Sequence, residues 1–386
     1  MPGHPRNARM RRLLPDDPET PRSRTIDAPI VFFVPDAKFQ PSCLSGHHDR
    51  VCSAVIEEPE FAIVVCRDKD DSPKKANDFQ RQLRQISVLF KSAATLTAQT
   101  VTFNIVADSY TTYETITNLT ASWPTAYRQR LVFSEYKQVF YPPGTKKIKN
   151  LFRPCATGKL FLPQTLQDKD AVVFLDTDTL FLMPPEMLWR KLYAFNPSQI
   201  IGIAPCLHEC STVFKNLPIY GSRHGLNTGV LVMNLTRLRG FEGGWTENIM
   251  HIVNKYNTKL QLADQDILNI LFSNKTIAKQ LYQLGCEWNY RPNLCSSGTN
   301  KCKSANELGV GLLHGNALTF VNGIVIKFKI MFDAWEQHQI GESVTALLER
   351  LKTTLHQQNK SPGCSSVLFI DRILLQGLEN TLKRHQ

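Results

Sequence analysis

No apolar run in this sequence is long enough to cross a bilayer. The longest stretch near its start is Ala28-Pro29-Ile30-Val31-Phe32-Phe33-Val34, broken by proline and far short of the roughly 20 residues that span a membrane. It is also short for the core of a signal peptide. Internal repeats are lacking, so the chain is not read as a solenoid or propeller. Charge of one sign is rarely gathered in blocks: the 386 residues carry a formal net charge of +11, but only Lys146-Lys147-Ile148-Lys149 clusters tightly, and a solvated face accounts for it. Such a charge suits an anionic partner. No zinc-finger or ribonucleoprotein signature accompanies it, so nucleic acid is not an expected partner. With 42% apolar and 20% charged residues, the composition is that of a globular protein and not of a disordered or fibrous one.

Cysteine, by contrast, is present in an even number. The ten are Cys43, Cys52, Cys66, Cys155, Cys206, Cys210, Cys286, Cys295, Cys302 and Cys364. An even count fits disulfides formed in an oxidising lumen, and the crowding of Cys286, Cys295 and Cys302 predicts local staples within a loop. Zinc is the rival, but Cys206-x3-Cys210 has no second pair at finger-like spacing. The sequons at Asn118, Asn234 and Asn274 also favour the secretory pathway; Asn234 ends a predicted strand, a poor setting for a glycan. The first thirty residues offer no entry signal for that pathway, so the natural N-terminus is expected to be missing from this sequence.

Residues 1–58 are rich in Pro and Arg without strand or helix period, and read as a flexible stem. Globular patterning begins at Phe61-Ala62-Ile63-Val64-Val65-Cys66, an unbroken apolar run typical of a strand buried on both faces. Phe79, Leu83, Ile86 and Phe90 then recur at helical spacing, and Val101 to Asp108 is a second strand. Strand, helix, strand opens a doubly wound α/β sheet, which binds its ligand at the carboxyl ends of the strands. Further strands are expected at Ala171–Leu175, Ile200–Ala204, Gly229–Met233 and Val310–Leu313, and helices at Trp245–Tyr256 and Asp266–Phe272. Beyond Met331 the chain turns helical, with Leu347, Leu348, Leu351 and Leu355 on one face. The expected organisation is a stem (1–58), an α/β domain (59–330) and a helical C-terminal extension (331–386).

The predicted strand Ala171–Leu175 runs straight into Asp176-Thr177-Asp178. Two carboxylates two residues apart in extended chain converge on one side. Hard oxygens so placed suit Mn2+ or Mg2+, which can bridge a diphosphate and offset charge on its departure. The pair could equally form a solvated turn, but apolar residues flank it on both sides, and two buried carboxylates call for a cation. His314, ending the late strand, is either a further ligand or a hydrogen-bonded core histidine; Gly315 after it permits close approach of backbone to phosphate. Asp264-Gln265-Asp266 opens a helix. Capping explains one of its acids, which leaves the other groups for sugar hydroxyls. Leu226-Asn227-Thr228-Gly229 reads as a turn or as a sugar contact.

Asp176-Thr177-Asp178, Asn227-Thr228-Gly229, Asp264-Gln265-Asp266 and His314-Gly315-Asn316 stand in the order seen in glycosyltransferase family 8, which this chain resembles over roughly residues 60–330. Leu151-Phe152-Arg153-Pro154-Cys155-Ala156, Leu160-Phe161-Leu162-Pro163 and Cys286-Glu287-Trp288-Asn289-Tyr290-Arg291-Pro292 are similar to the glucoside xylosyltransferases of that family. The resemblance implies a single Rossmann-like (GT-A) α/β domain with a mixed sheet, and a retaining, Mn2+-dependent enzyme. It would move xylose from UDP-xylose in α1,3 linkage to O-linked glucose on epidermal-growth-factor-like repeats, Notch-type repeats among them. UDP-glucose or UDP-galactose remains an alternative donor, and a catalytically silent sugar-binding protein the rival class.

The resemblance further implies Asp176, Asp178 and His314 as metal ligands. It puts Cys66, Lys159, Asp176, Asn227, Asp264 and Gly315 around the donor, with Asp264 and Gln265 at the reacting centre and Asn289 and Tyr290 on the acceptor side. It also implies a type II membrane protein of the Golgi or endoplasmic reticulum lumen. One departure concerns the diphosphate: many members carry a Lys soon after His-Gly, whereas here none occurs before Lys327.

Overall fold

The computed structural model describes residues 42–43, 52–53, 58–67, 73–149, 151, 155–207, 217–221, 224–358 and 363–384. Phe152-Arg153-Pro154, Cys210 and nearly all of the expected stem lie outside them. In chain order the strands are β1 (Ser42–Cys43), β2 (Cys52–Ser53), β3 (Glu60–Val65), β4 (Val101–Ala107), β5 (Leu131–Phe133), β6 (Lys137–Gln138), β7 (Ala171–Leu175), β8 (Thr179–Phe181), β9 (Ile201–Pro205), β10 (Leu226–Asn234), β11 (Leu281–Gln283) and β12 (Leu312–His314). The main sheet runs β11-β9-β10-β7-β3-β4-β5, with β6 also on β4. β10 is antiparallel to both of its neighbours, while the other pairings in the sheet are parallel. The start of β10 therefore lies at the same edge as the ends of β3, β7 and β9. This is the mixed α/β sheet that the sequence led us to expect. β8 and β12 form a separate antiparallel pair.

The unbroken apolar runs make strands covered on both faces: every residue of β4, β7 and β9 is buried. Alternate side chains feed two cores. Phe61, Ile63, Val173, Leu175, Val230 and Val232 join one core with Phe79, Ile86 and Phe90 of the helix Pro73–Leu96. Ala62, Val172, Phe174, Leu231 and Met233 join the other, with the helices Trp245–Tyr256 and Asp264–Ser273. The helices Ile326–Gln337, Val344–Gln357 and Ile370–Arg384 extend the first core through Met331, Trp335, Leu351 and Leu374. The four leucines placed on one face by their spacing (Leu347, Leu348, Leu351 and Leu355) are all buried. None of the helices among the described residues is long and apolar enough to cross a membrane.

Two expectations are corrected. Leu226-Asn227-Thr228-Gly229 is not a turn but the first part of β10; its ladder to β9 shifts register between Asn227 and Leu231, which bends the strand locally. The crowded cysteines are only partly a local staple. Cys286 pairs with Cys302, but Cys295, facing the core, reaches across 69 positions to Cys364. A third bridge joins Cys66 at the end of β3 to Cys155. Of the sequon residues, Asn118 and Asn274 are exposed. Asn234 is half-buried, and its side chain caps the helix Leu235–Arg239 by accepting from the Arg237 amide at 2.9 Å.

Candidate active site

The ends of β3 and β7 and the start of β10 open onto one cavity of about 480 Å3. Its centre is the loop between β7 and β8. The Asp176 amide donates to the Gly229 carbonyl at 2.8 Å, and the Thr179 side-chain hydroxyl donates to the Asp176 carbonyl at 2.8 Å, so the first residue of the Asp-x-Asp turn is held through both its amide and its carbonyl. β12, paired to β8, delivers His314 to the same point, and the Gly315 amide donates to the Asp178 carbonyl at 2.8 Å. The acids and the imidazole that sequence resemblance grouped are therefore neighbours: one ligand atom from each of Asp176, Asp178 and His314 lies within 4.8 Å of the others.

The orientation of His314 is set by amides. Asn289 Nδ2 donates to Asn227 Oδ1 at 2.9 Å, which leaves Asn289 Oδ1 to accept from His314 Nδ1, also at 2.9 Å. That network assigns the proton to Nδ1. The lone pair on Nε2 then points at Asp178 Oδ1, 3.3 Å away, and Asp176 Oδ2, 3.7 Å away. Three electron-rich atoms facing one another repel unless a cation stands between them, so this donor set fits a divalent metal ion. A Cβ at Gly229 would fall 2.1 Å from the His314 ring, so this glycine makes room for the imidazole.

A second group adjoins the first. Lys159 is buried, with its ammonium 2.8 Å from Asp176 Oδ1, 3.1 Å from Asp264 Oδ2 and 4.5 Å from the centre of the Phe174 ring. Burial alone would lower its pKa; the carboxylates of Asp176 and Asp264 overcome this and hold it raised. The pairing is therefore complete at neutral pH and is lost only as pH climbs through that raised value. Asp264 also accepts from Thr228 Oγ1 at 2.6 Å, and Asn227 Nδ2 donates to Gln265 Oε1 at 2.8 Å. Asp266 plays another part: its Oδ2 accepts from the Gln261 and Leu262 amides at 2.6 and 2.7 Å and caps the chain entering the helix. Lys159 thus faces two of the three carboxylates at the centre, Asp176 and Asp264, while Asp178 faces His314 and feels the charge of Arg81.

Removing one partner of such a buried set leaves a charge stranded, at a cost of about 3–5 kcal/mol. Lys159→Met is expected to lose that much stability in urea unfolding; a loss below about 1 kcal/mol would show that the triad is not what holds this region.

Of the other residues singled out, Cys66 lines the cavity as half of the disulfide with Cys155. Asn289 is buried behind His314. Tyr290 is buried too, and it turns its hydroxyl to Asn300 rather than into the cavity. Gly315 supplies backbone at the Asp178 turn and packs under Phe320. Lys327 is not part of the site: it is buried in the helical layer beside Asp371, at 2.8 Å, and donates to the Leu355 carbonyl.

Sequence reasoning missed Asp78, Arg81, Gln82 and Gln85, which line the cavity from the helix Pro73–Leu96. Their spacing of three, one and three places them on one face beside the apolar stripe, a signal that was available. It also gave no role to Arg291 or Asn293, which line the cavity as well.

The model of glycosyl transferase family 8 matches residues 63–314. Glucoside xylosyltransferase 1 of Danio rerio is 33% identical over 371 residues, covering 91% of this chain and 86% of that protein. Glucoside xylosyltransferase 2 of Xenopus laevis is 33% identical over 337 residues, covering 84% and 74%. Among solved structures, apo mouse xyloside xylosyltransferase 1 aligns with a TM-score of 0.48 and 16% identity, over 68% of this chain and 99% of that one.

Proposed function

Because the chain belongs to glycosyltransferase family 8, we propose that it is a retaining transferase that moves xylose from UDP-xylose, in α1,3 linkage, to O-linked glucose on epidermal-growth-factor-like repeats. The observation that carries this reading is the imidazole lone pair of His314 facing Asp176 and Asp178 in the same cavity as the Lys159–Asp264 pair. The names of the relatives support the choice of xylose and glucoside.

In this reading Asp176, Asp178 and His314 hold Mn2+, or Mg2+, and the bound ion supplies the positive charge that offsets a departing diphosphate. Lys159 adds a fixed cation beside Asp176, poised for charge that develops as the sugar–phosphate bond breaks. Asn227 and Asp264 take donor hydroxyls. The Cys66–Cys155 side of the cavity takes the uracil, and the Gly315 backbone approaches the phosphates. Gln265 is held by Asn227 with its Oε1 accepting, so it orients rather than attacks: a neutral amide is a poor nucleophile, and same-face attack by the acceptor hydroxyl is the simpler route. Asn289 shapes the acceptor side through His314, with Tyr290 behind it.

The catalytic unit is taken as 59–330, with 1–58 a stem and 331–386 a helical extension. The secretory lumen, Golgi or endoplasmic reticulum, with membrane anchorage as in a type II protein, is its expected setting. Asn118 and Asn274 are the exposed glycan acceptors.

Incubation with UDP-xylose, UDP-glucose or UDP-galactose, Mn2+ and a glucosylated peptide tests the reading. Product is expected with UDP-xylose, and chelation should abolish it until Mn2+ is restored. Transfer from UDP-glucose or UDP-galactose alone would make this a related transferase of different donor. No UDP release from any donor would favour a silent sugar-binding protein.

A further inference from the structure

Arg291 is 1% exposed, yet among the described residues no carboxylate pairs with it. Its Nη2 donates to the carbonyls of Pro205 and Cys206 at 3.1 and 3.3 Å, while Nε and Nη1 have no hydrogen-bond partner among the described residues. Burial pushes this guanidinium down to about 9, still charged at neutral pH. A buried cation with open N–H groups is expensive to keep, and Arg291 lines the cavity, so a ligand entering there can satisfy it.

The sheet order says which ligand. Arg291 hangs on the end of β9, whereas the Asp-x-Asp turn follows β7 and the Cys66–Cys155 wall follows β3. Along the row β9-β10-β7-β3, the donor's nucleotide belongs at the β3–β7 end, and Arg291 stands beyond Asn227 on the opposite flank. It is also fixed relative to the metal ligand: the His314 amide donates to the carbonyl of Tyr290, the residue before Arg291, at 2.9 Å.

We propose that Arg291 is an acceptor-binding residue, its Nε and Nη1 donating to oxygens of the acceptor glycoside, and so selects acceptors that present an electron-rich oxygen at this point. The inference rests on the transferase reading above. The oxygen can belong to a pyranose hydroxyl or to a sugar carboxylate; the chemistry of recognition is the same.

The test uses Arg291→Met and, in case loss of the guanidinium impairs folding, Arg291→Lys, which keeps a cation but fewer N–H donors. UDP release from UDP-xylose without acceptor is measured beside transfer to a neutral glucoside and to the matching glucuronide. Each charge-assisted hydrogen bond lost is expected to raise acceptor KM about tenfold or more. The donor KM and acceptor-free UDP release should change less than twofold. A loss confined to the glucoside assigns a hydroxyl, and one confined to the glucuronide a carboxylate; either supports the proposal. Acceptor KM unchanged for both sugars overturns it. So does parallel loss of donor binding, or unfolding of both variants, since the guanidinium would then be a strut for Pro205 and Cys206. If the unaltered protein releases no UDP from any donor, it is the transferase reading that fails, and this is seen before any variant is compared.

Discussion

Asp178→Asn is expected to lower transfer by about a thousandfold or more, several kcal/mol of transition-state stabilisation, while leaving the fold intact. The side chain is the same size, and the variant's amide can donate to the His314 Nε2 lone pair that now faces Asp178 Oδ1 at 3.3 Å. The repulsion that makes the site hungry for a cation would become a hydrogen bond. The metal-free variant should therefore unfold at or above the temperature of the unaltered protein. Two measurements check this: kcat/KM across a Mn2+ titration, and a thermal melt with and without metal. In the unaltered protein Mn2+ should raise the melting temperature by mass action, and in the variant that increment should shrink. Substantial Mn2+-dependent transfer by the variant would remove Asp178 from the metal shell.

Gly229→Ala should do comparable harm by a purely steric route. The added Cβ would meet His314 Cε1 at 2.1 Å and Nδ1 at 2.6 Å. Neither partner can yield cheaply. Gly229 sits in β10, where its carbonyl accepts from the Asp176 amide, and the imidazole is tethered through Nδ1 to Asn289. Displacing the ring withdraws Nε2 from both carboxylates and breaks the Asn289 contact. The expected result is a drop in kcat/KM of about a hundredfold, as for loss of an outer-shell metal partner, with about 1–3 kcal/mol of overpacking destabilisation. The cost should fall on Mn2+ affinity more than on the donor KM at saturating metal. Metal affinity within twofold of the unaltered protein would show that the ring has somewhere else to go.

The gross fold and the Asp176–Asp178 pair were both legible in the sequence, for one physical reason, whereas His314 joined the pair only through the family resemblance. Strands buried on both faces must be unbroken apolar runs, so Ala171–Leu175 announced itself, and acids at the end of such a run are conspicuous because burying them is costly. Contacts made between elements left no such trace. Nothing local in Leu226-Asn227-Thr228-Gly229 distinguishes a turn from a bulged strand; pairing with β9 and the Asn269 side chain, which accepts from the Leu226 amide at 2.7 Å, decides it. Cys295 was legible as a disulfide partner but not as Cys364's, because chain spacing carries no information about a bridge spanning 69 positions. Arg291 lay inside a motif quoted for its resemblance, yet its missing counter-charge is visible only once the side chains around it are in place.

The Cys66–Cys155 bridge has a consequence of its own. Cys155, with φ of 59°, immediately precedes the short 3-10 helix Ala156–Phe161, which carries Lys159. One sulfur bond thus clamps the turn that sets the ammonium between Asp176 and Asp264. The electrostatic balance at the centre of the cavity is then conditional on thiol chemistry at its wall. A reductant able to open that bridge would loosen Lys159 from its two acids without touching a single group that meets the sugar, so oxidation would be a step of maturation as well as of folding.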